Sequence, residues 1–163
     1  MSIVYKLTVT QQMPVDLDTA WRFFSNPANL QSITPGNMSF TVTSKQQDFM
    51  YAGQVIEYTL KPLLGISMYW MTEITHVQDK TYFVDEQRFG PYSLWHHQHH
   101  FKEIAGGVEM TDLVHYKIPY WFVGDIANSV LVRPKLKEIF AFRIKTITGM
   151  FGKMGEEPVV KFF

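Results

Sequence analysis

The sequence predicts an α+β fold in which a curved, antiparallel, seven-stranded sheet wraps around one long C-terminal helix. Three observations predict it. A strand and two short helical pieces are followed by six period-two segments joined by hairpin-length connections. The long stretch with helical spacing comes last. A sheet of this extent must also cover its apolar face, and that helix is the available cover.

Residues Ile3 to Met13 alternate, with Tyr5, Leu7 and Val9 set against Val4, Lys6 and Thr8, and form the first predicted strand; Pro14 ends it. Asp16 or Asp18 offers an N-cap for a short helix through Ala20, Trp21, Phe23 and Phe24. A second helical piece begins at Asn26-Pro27, where proline suits a first turn. It runs toward Ile33 and closes at Thr34-Pro35-Gly36-Asn37. Further strands are predicted at Met38–Ser44, Gly53–Leu60, Ile66–Val77, Thr81–Phe89, Ser93–Glu103 and Val108–Ile118. Turns fall at Pro62–Gly65, Gln78–Lys80, Gly90-Pro91 and Ala105–Gly107. Pro119 to Gly124 reads as a connector, and Asp125 as the cap of a brief helical turn with Ile126 and Val130. Pro134 opens the long helix, in which Leu136, Phe140, Ile144, Ile147 and Phe151 recur at helical spacing beside Ile139. Residues 1–152 form one domain; residues 153–163 are a C-terminal tail whose apolar end, Val159 to Phe163, has no readable partner.

Fifteen basic and 15 acidic residues cancel, so bulk electrostatics predict neither a nucleic-acid nor an anionic-membrane partner. No segment reaches the roughly 18 uninterrupted apolar residues of a spanning helix, and Met1 to Gln12 lacks an apolar signal core. No integral membrane association is expected. Cysteine is absent, which removes disulfides, thiolate metal sites and cysteine nucleophiles together. That composition fits a cytoplasmic protein. The 13 Phe, 8 Tyr, 4 Trp and 9 Met exceed what turns and surfaces hold, so many must face a core or a cavity. Oligomeric state is not legible.

Four of the six histidines lie in Trp95-His96-His97-Gln98-His99-His100-Phe101. With period two, Trp95, His97, His99 and Phe101 share one face, and His96, Gln98 and His100 the other. A two-residue turn at Ala105-Gly106 sets Phe101 opposite Met110, His99 opposite Asp112, His97 opposite Val114 and Trp95 opposite Tyr116. This set is the more apolar and should face inward. Asp112 can then accept a hydrogen bond from His99, with Asp85 and Gln87 contributing from the neighbouring strand and Tyr58 and Tyr116 adding hydroxyls. Such a pair can hold or move a proton beside a ligand, or can satisfy only itself and hold two strands in register. His97, His99 and Asp112 would also make a three-ligand metal set, but no flanking metal motif accompanies them, so neither a metal nor a cofactor is expected. His96, His100 and His115 are expected on a solvated face.

These residues carry a family likeness. Gly90-Pro91, Trp95, His97, His99 and Phe101, then Gly107, Asp112, Val114 and Tyr116, resemble a run found in bacterial cyclase/dehydrase-like members of the START/Bet v 1-like (SRPBCC) superfamily. Phe140 and Arg143 resemble the phenylalanine and arginine of that group's last helix, although Ala141-Phe142 replaces the tyrosine before the arginine. The resemblance spans residues 3–151 and implies a helix-grip fold. It leaves function open, because the superfamily mixes lipid carriers, hormone receptors and polyketide cyclases.

Three functions are therefore carried forward. The first is binding of a small hydrophobic ligand (a lipid, polyketide or other apolar metabolite) between sheet and helix. Tyr58, Trp70, Asp85, Gln87, Trp95, His97, His99, Asp112, Tyr116, Phe140 and Arg143 are the candidate ligand residues. The second is an aromatase/cyclase- or dehydratase-type enzyme that uses His99 and Asp112 for proton transfer. The third is an interaction module with a closed cavity.

Overall fold

A computed structural model of the protein describes residues 3–45, 49–61, 65–119 and 128–163. In it the first strand, β1 (Tyr5–Met13), stops before Pro14, and helix α1 (Leu17–Phe24) follows. Asp16 caps α1 by accepting hydrogen bonds from Thr19 N at 2.7 Å and Thr19 Oγ1 at 2.8 Å. Asn26 Oδ1 accepts from Ala28 N in the same way and opens a 3₁₀ turn over Pro27–Gln31. The remaining strands are β2 (Thr41–Val42), β3 (Gln54–Leu60), β4 (Met68–Gln78), β5 (Tyr82–Phe89), β6 (Leu94–Ile104) and β7 (Gly107–Lys117). A π-helical turn at Asn128–Val132 leads into the long helix α2 (Arg133–Phe151), and β8 (Lys161–Phe162) closes the chain.

The sheet order is β2-β3-β4-β5-β6-β7-β1-β8, with every pairing antiparallel. Each of β2 to β6 pairs with its successor, and β1 returns to pair with β7 along its whole length, from Tyr5 opposite Tyr116 to Met13 opposite Val108. The sheet, the long C-terminal helix and the short helices make a helix-grip arrangement with eight strands rather than the expected seven. The extra strand comes from the tail: Phe162 pairs with Leu7 and Lys161 with Thr8. Two residues are too few to show a period, so this strand was not readable from the sequence.

A second departure lies at Met38–Ser44, where only Thr41–Val42 forms a strand. Gly36–Met38 is a 3₁₀ turn, and Ser39 after it takes a left-handed conformation (φ 46°), so the turn begun at Pro35 runs past Asn37 and consumes the strand's start. The turn at Pro62–Gly65 lies largely outside the described residues, as do most of the connector Pro119–Gly124 and the Asp125 cap with Ile126. Among the described residues no helix is long and apolar enough to cross a membrane.

Leu136, Phe140, Arg143 and Ile147 form the buried stripe of α2 and lie over the sheet. Phe140 and Leu136 pack in one core cluster with Leu7, Val9, Val114 and Tyr116. Ile147 belongs to another with Met13, Trp21, Phe83 and Phe101. The side chain of Gln11 ties β1 to α2, donating to Ile144 O at 3.2 Å and Thr148 Oγ1 at 3.0 Å. A third cluster, built on Phe40, Ile56, Tyr58, Trp70 and Ile74, lies toward the β2–β4 side. Between these clusters a space remains.

Candidate functional site

That space is a cavity of about 340 Å³ enclosed by the inner sheet face, α2 and the short helical pieces. Its wall includes the exposed Leu131 just before α2. Most of the wall is aromatic and aliphatic. Tyr58 and Trp70 stack with centroids 5.9 Å apart, and Trp70 meets Trp95 edge-on at 5.5 Å. The polar atoms of Tyr58 and Trp70 are already engaged: Trp70 Nε1 donates to Thr72 Oγ1 at 3.0 Å, and the Tyr58 hydroxyl shares a 2.9 Å bond with the same oxygen. Burial pushes the Tyr58 hydroxyl far above the ordinary phenol range, so it stays protonated.

On the sheet side, β5, β6 and β7 carry a four-membered polar cluster, three members of which (Asp85, His97 and His99) line the cavity. The β6–β7 register is the expected one: Trp95 opposite Tyr116, His97 opposite Val114, His99 opposite Asp112 and Phe101 opposite Met110. It follows from the Ala105-Gly106 turn, where Gly106 supplies the positive φ (82°) that the hairpin needs. Asp85 of β5 lies opposite His97 on the other side. His97, His99 and Asp112 are buried, and Asp85 is half-buried.

Both hydrogen bonds of the cluster run diagonally. Asp112 Oδ1 lies 3.0 Å from His97 Nε2, and Asp85 Oδ2 lies 2.9 Å from His99 Nε2, each in hydrogen-bonding alignment. The directly opposite contacts are close but not aligned as hydrogen bonds: His99 Nδ1 to Asp112 Oδ1 at 2.9 Å, and His97 Nδ1 to Asp85 Oδ2 at 3.3 Å. The two imidazoles are themselves 3.8 Å apart, centroid to centroid. From α2, Arg143 brings Nη1 to 4.0 Å from Asp112 Oδ2. Its Nε is buried without a partner. The expected His99–Asp112 contact is present at 2.9 Å, while the aligned hydrogen bond to the same carboxylate oxygen comes from His97, and Asp112 is also the acid nearest Arg143.

Electrostatics separate the four groups. Burial pushes both carboxyls up, but the neighbouring imidazoles outweigh it and hold Asp85 and Asp112 below the usual carboxylate range. Burial, joined by the neighbouring His99, pulls His97 down, and the two carboxylates do not recover it. His99 meets the same burial, yet Asp112 and Asp85 together raise it above its ordinary value. The two carboxylates thus favour a proton on His99 over one on His97, and Arg143 stands beside Asp112. The carboxylate of Asp112 accepts at His97 Nε2, so that nitrogen carries the proton and His97 Nδ1 keeps a lone pair.

Tyr58, Trp70, Asp85, Trp95, His97, His99, Phe140 and Arg143 line the cavity. Asp112 stands behind the two histidines and is not part of the wall. Gln87 is turned elsewhere: its Nε2 donates to Tyr92 O at 2.6 Å and its Oε1 accepts from Tyr92 N at 3.1 Å, clamping the Gly90-Pro91 corner. The Tyr116 hydroxyl donates to Asn128 Oδ1 at 2.9 Å, away from the wall, and burial pushes it up to about 12. Sequence reasoning passed over Tyr92, which lines the cavity and packs on Trp70, Trp95 and Tyr116. It follows Pro91 between two strands, where no period marks it. Thr72, the hydrogen-bonding hub of the aromatic wall, was visible only as a residue in phase with Trp70 and Ile74.

The outward histidines are half-buried rather than fully solvated, and two of them join a chain. Gln98 Nε2 donates to His96 Nε2 at 3.0 Å, His96 Nδ1 faces Glu86 Oε1 at 2.8 Å, and His100 Nε2 meets Gln98 Oε1 at 2.8 Å.

No family model matches the chain, and no curated protein matches it. Solved structures do. The major latex-like protein 151 of Panax ginseng superposes with a TM-score of 0.66 at 15% identity, over 91% of this chain and 97% of that one. Protein Ms6760 of Mycobacterium smegmatis gives 0.64 at 19% identity over 89% of each chain. TTHA0849 of Thermus thermophilus gives 0.65 at 13% identity, over 88% of this chain and 94% of its own. Identities this low speak for the fold alone, and the fold they share is the Bet v 1-like helix-grip arrangement.

Proposed function

We propose that the protein binds one small, mainly apolar molecule (a lipid, polyketide or other apolar metabolite) in the cavity between sheet and α2, and that it does so in the cytoplasm. The polar end of the ligand is received by Asp85, His97, His99 and Arg143. The observation that carries this reading is the cavity itself. Its roughly 340 Å³ is framed by aromatic rings, with the polar atoms of Tyr58 and Trp70 already satisfied, and its wall carries two buried polar residues with an unpartnered nitrogen, His99 at Nδ1 and Arg143 at Nε. Small-molecule sites combine such walls, at about 300–1,000 Å³, with a few convergent polar groups. Arg143, buried and with Nε lacking a partner, supplies a donor for a ligand oxygen. The likeness of the histidine hairpin to the bacterial cyclase/dehydrase-like branch points the same way.

The test is native mass spectrometry of the protein incubated with an organic extract of cells, beside an Ile139→Trp variant that fills the cavity from α2. A discrete adduct on the parent that the variant lacks is the expected result. A clean unliganded mass from the parent would overturn the reading. A second reading, proton transfer in a cyclase- or dehydratase-type enzyme, is favoured by the placement of the His99–Asp85 pair in the cavity wall. It predicts that His99→Ala abolishes turnover of the bound ligand while leaving its adduct in place.

A further inference from the structure

Among the described residues, Asp85, His97 and His99 each offer one ligand atom, and the three atoms lie within 4.8 Å of one another. Two of the separations are fixed by Asp85 Oδ2, which lies 3.3 Å from His97 Nδ1 and 2.9 Å from His99 Nε2. Donors on one tetrahedral ion at about 2.0–2.1 Å stand roughly 3.3 Å apart, so modest side-chain adjustment suffices. The tautomer is set as well. Asp112 accepts the proton of His97 Nε2 at 3.0 Å, which leaves the His97 Nδ1 lone pair facing a carboxylate oxygen of Asp85. Asp112 then takes the place of the carboxylate that orients a ligating histidine from behind. All three donors line the cavity and Asp112 does not, so an ion held there would keep a coordination position open toward the cavity.

We infer that Asp85, His97 and His99 form a binding site for a divalent transition-metal ion of the zinc class, with Asp112 as the residue that orients His97. Two nitrogens and one oxygen suit Zn²⁺ and its first-row neighbours rather than Mg²⁺ or Ca²⁺. Three protein ligands with an open fourth position is the pattern of a reactive site rather than a closed structural one. The site shares Asp85, His97 and His99 with the proposed polar end of the apolar-ligand site, but its metal affinity is read without that ligand. It replaces the triad read from the sequence: the third ligand is Asp85, and Asp112 moves one step outward.

The experiment titrates chelator-treated protein with Co²⁺, read by visible absorption, and with Zn²⁺, read by calorimetry, without any organic ligand present. The expected result is one ion per chain with the intense visible bands of a low-coordinate cobalt centre. Zn²⁺ should displace the cobalt. Asp85→Ala and His97→Ala should each lose the visible bands. Asp112→Asn should keep them, with affinity lower by about 10–100-fold. A variant carrying His96→Gln, His100→Gln and His115→Gln should still take up one ion. The proposal is overturned if the parent shows no such bands, or if only the outward triple variant abolishes uptake. The parent spectrum decides even if an inner variant fails to fold. A failed metal titration leaves the mass-spectrometric result on apolar ligands intact, and the reverse also holds.

Discussion

Replacing Asp112 by alanine in the metal-free protein tests the electrostatics of the cluster most directly. The Asp112 side chain is only 7% exposed and faces three cationic or donor groups: His97 Nε2 at 3.0 Å, His99 Nδ1 at 2.9 Å and Arg143 Nη1 at 4.0 Å. Truncation leaves the His97 N–H without its acceptor and removes the carboxylate beside His99 and Arg143. Breaking a buried pair from one side costs about 3–5 kcal/mol, against a total stability of about 5–15 kcal/mol. A chain of this length loses about 2–4 °C in Tm per kcal/mol, so thermal denaturation followed by circular dichroism should show a drop of roughly 6–20 °C. Asp112→Asn keeps an oxygen acceptor for His97 Nε2 and loses only the charge, so its drop should be the smaller of the two. An alanine variant melting within about 2 °C of the parent would refute the claim that Asp112 balances the cluster. An asparagine variant as unstable as alanine would sink the hydrogen-bond part of it.

Tyr116→Phe removes the donor to Asn128 Oδ1 at 2.9 Å and should cost about 0.5–1.5 kcal/mol in a urea melt, while leaving ligand adducts unchanged; weakened adducts would place Tyr116 in the site after all. Gly107→Ala drives a Cβ into the Met13 carbonyl oxygen, on backbone that cannot turn aside, so a loss of about 1–3 kcal/mol or more should appear in the same melt. A neutral result there would mean that β1 and β7 separate more easily than their pairing implies. His115 is held below its ordinary value, first by partial burial and then by His96 and Lys6. The unfolded chain therefore takes the proton first, so the stability linked to His115 is complete above about pH 6.5 and is lost as the pH falls below it. His115→Gln should flatten that part of a Tm–pH curve, and an unaltered slope would contradict the assignment.

The β6–β7 hairpin was legible because two independent signals agree there. The Ala105-Gly106 turn fixes the count, and alternation fixes the face, so a one-residue slip would have sent His97 and His99 outward. Register says which residues stand opposite, however, not how their side chains lean. His97 stands opposite Val114 but bonds to Asp112, and His99 stands opposite Phe83 but bonds to Asp85. Strand side chains lean along the strand, and diagonal neighbours fall within reach of an imidazole. That lean moved Asp85 from a supporting role to the cavity wall. Gln87 shows the opposite failure. It lies two residues from Asp85 on the same strand, yet the backbone groups of Tyr92 at the Gly90-Pro91 corner capture its amide. Alternation cannot see that demand, because it arises in the loop. The eighth strand escaped for a third reason: its two residues gain their place only through Leu7 and Thr8, more than 150 residues earlier.

The cluster could be read as a staple for the sheet, but the strands that carry it do not need one. β6 and β7 are paired without interruption from Leu94–Lys117 to Ile104–Gly107, and apolar residues of similar size could fill the same positions at no cost in stability. A buried set of two carboxylates, two imidazoles and a guanidinium is instead expensive to assemble, and here it is assembled unevenly. Asp112 is enclosed behind the wall, where it can orient His97 but meet nothing in the cavity. Asp85, His97, His99 and Arg143 stand in the wall itself, and Arg143 Nε lacks a partner there. A staple would bury all of its members and satisfy them all. A site that holds an ion or a ligand's polar end needs this division, with one group fixed behind and the others left facing the space.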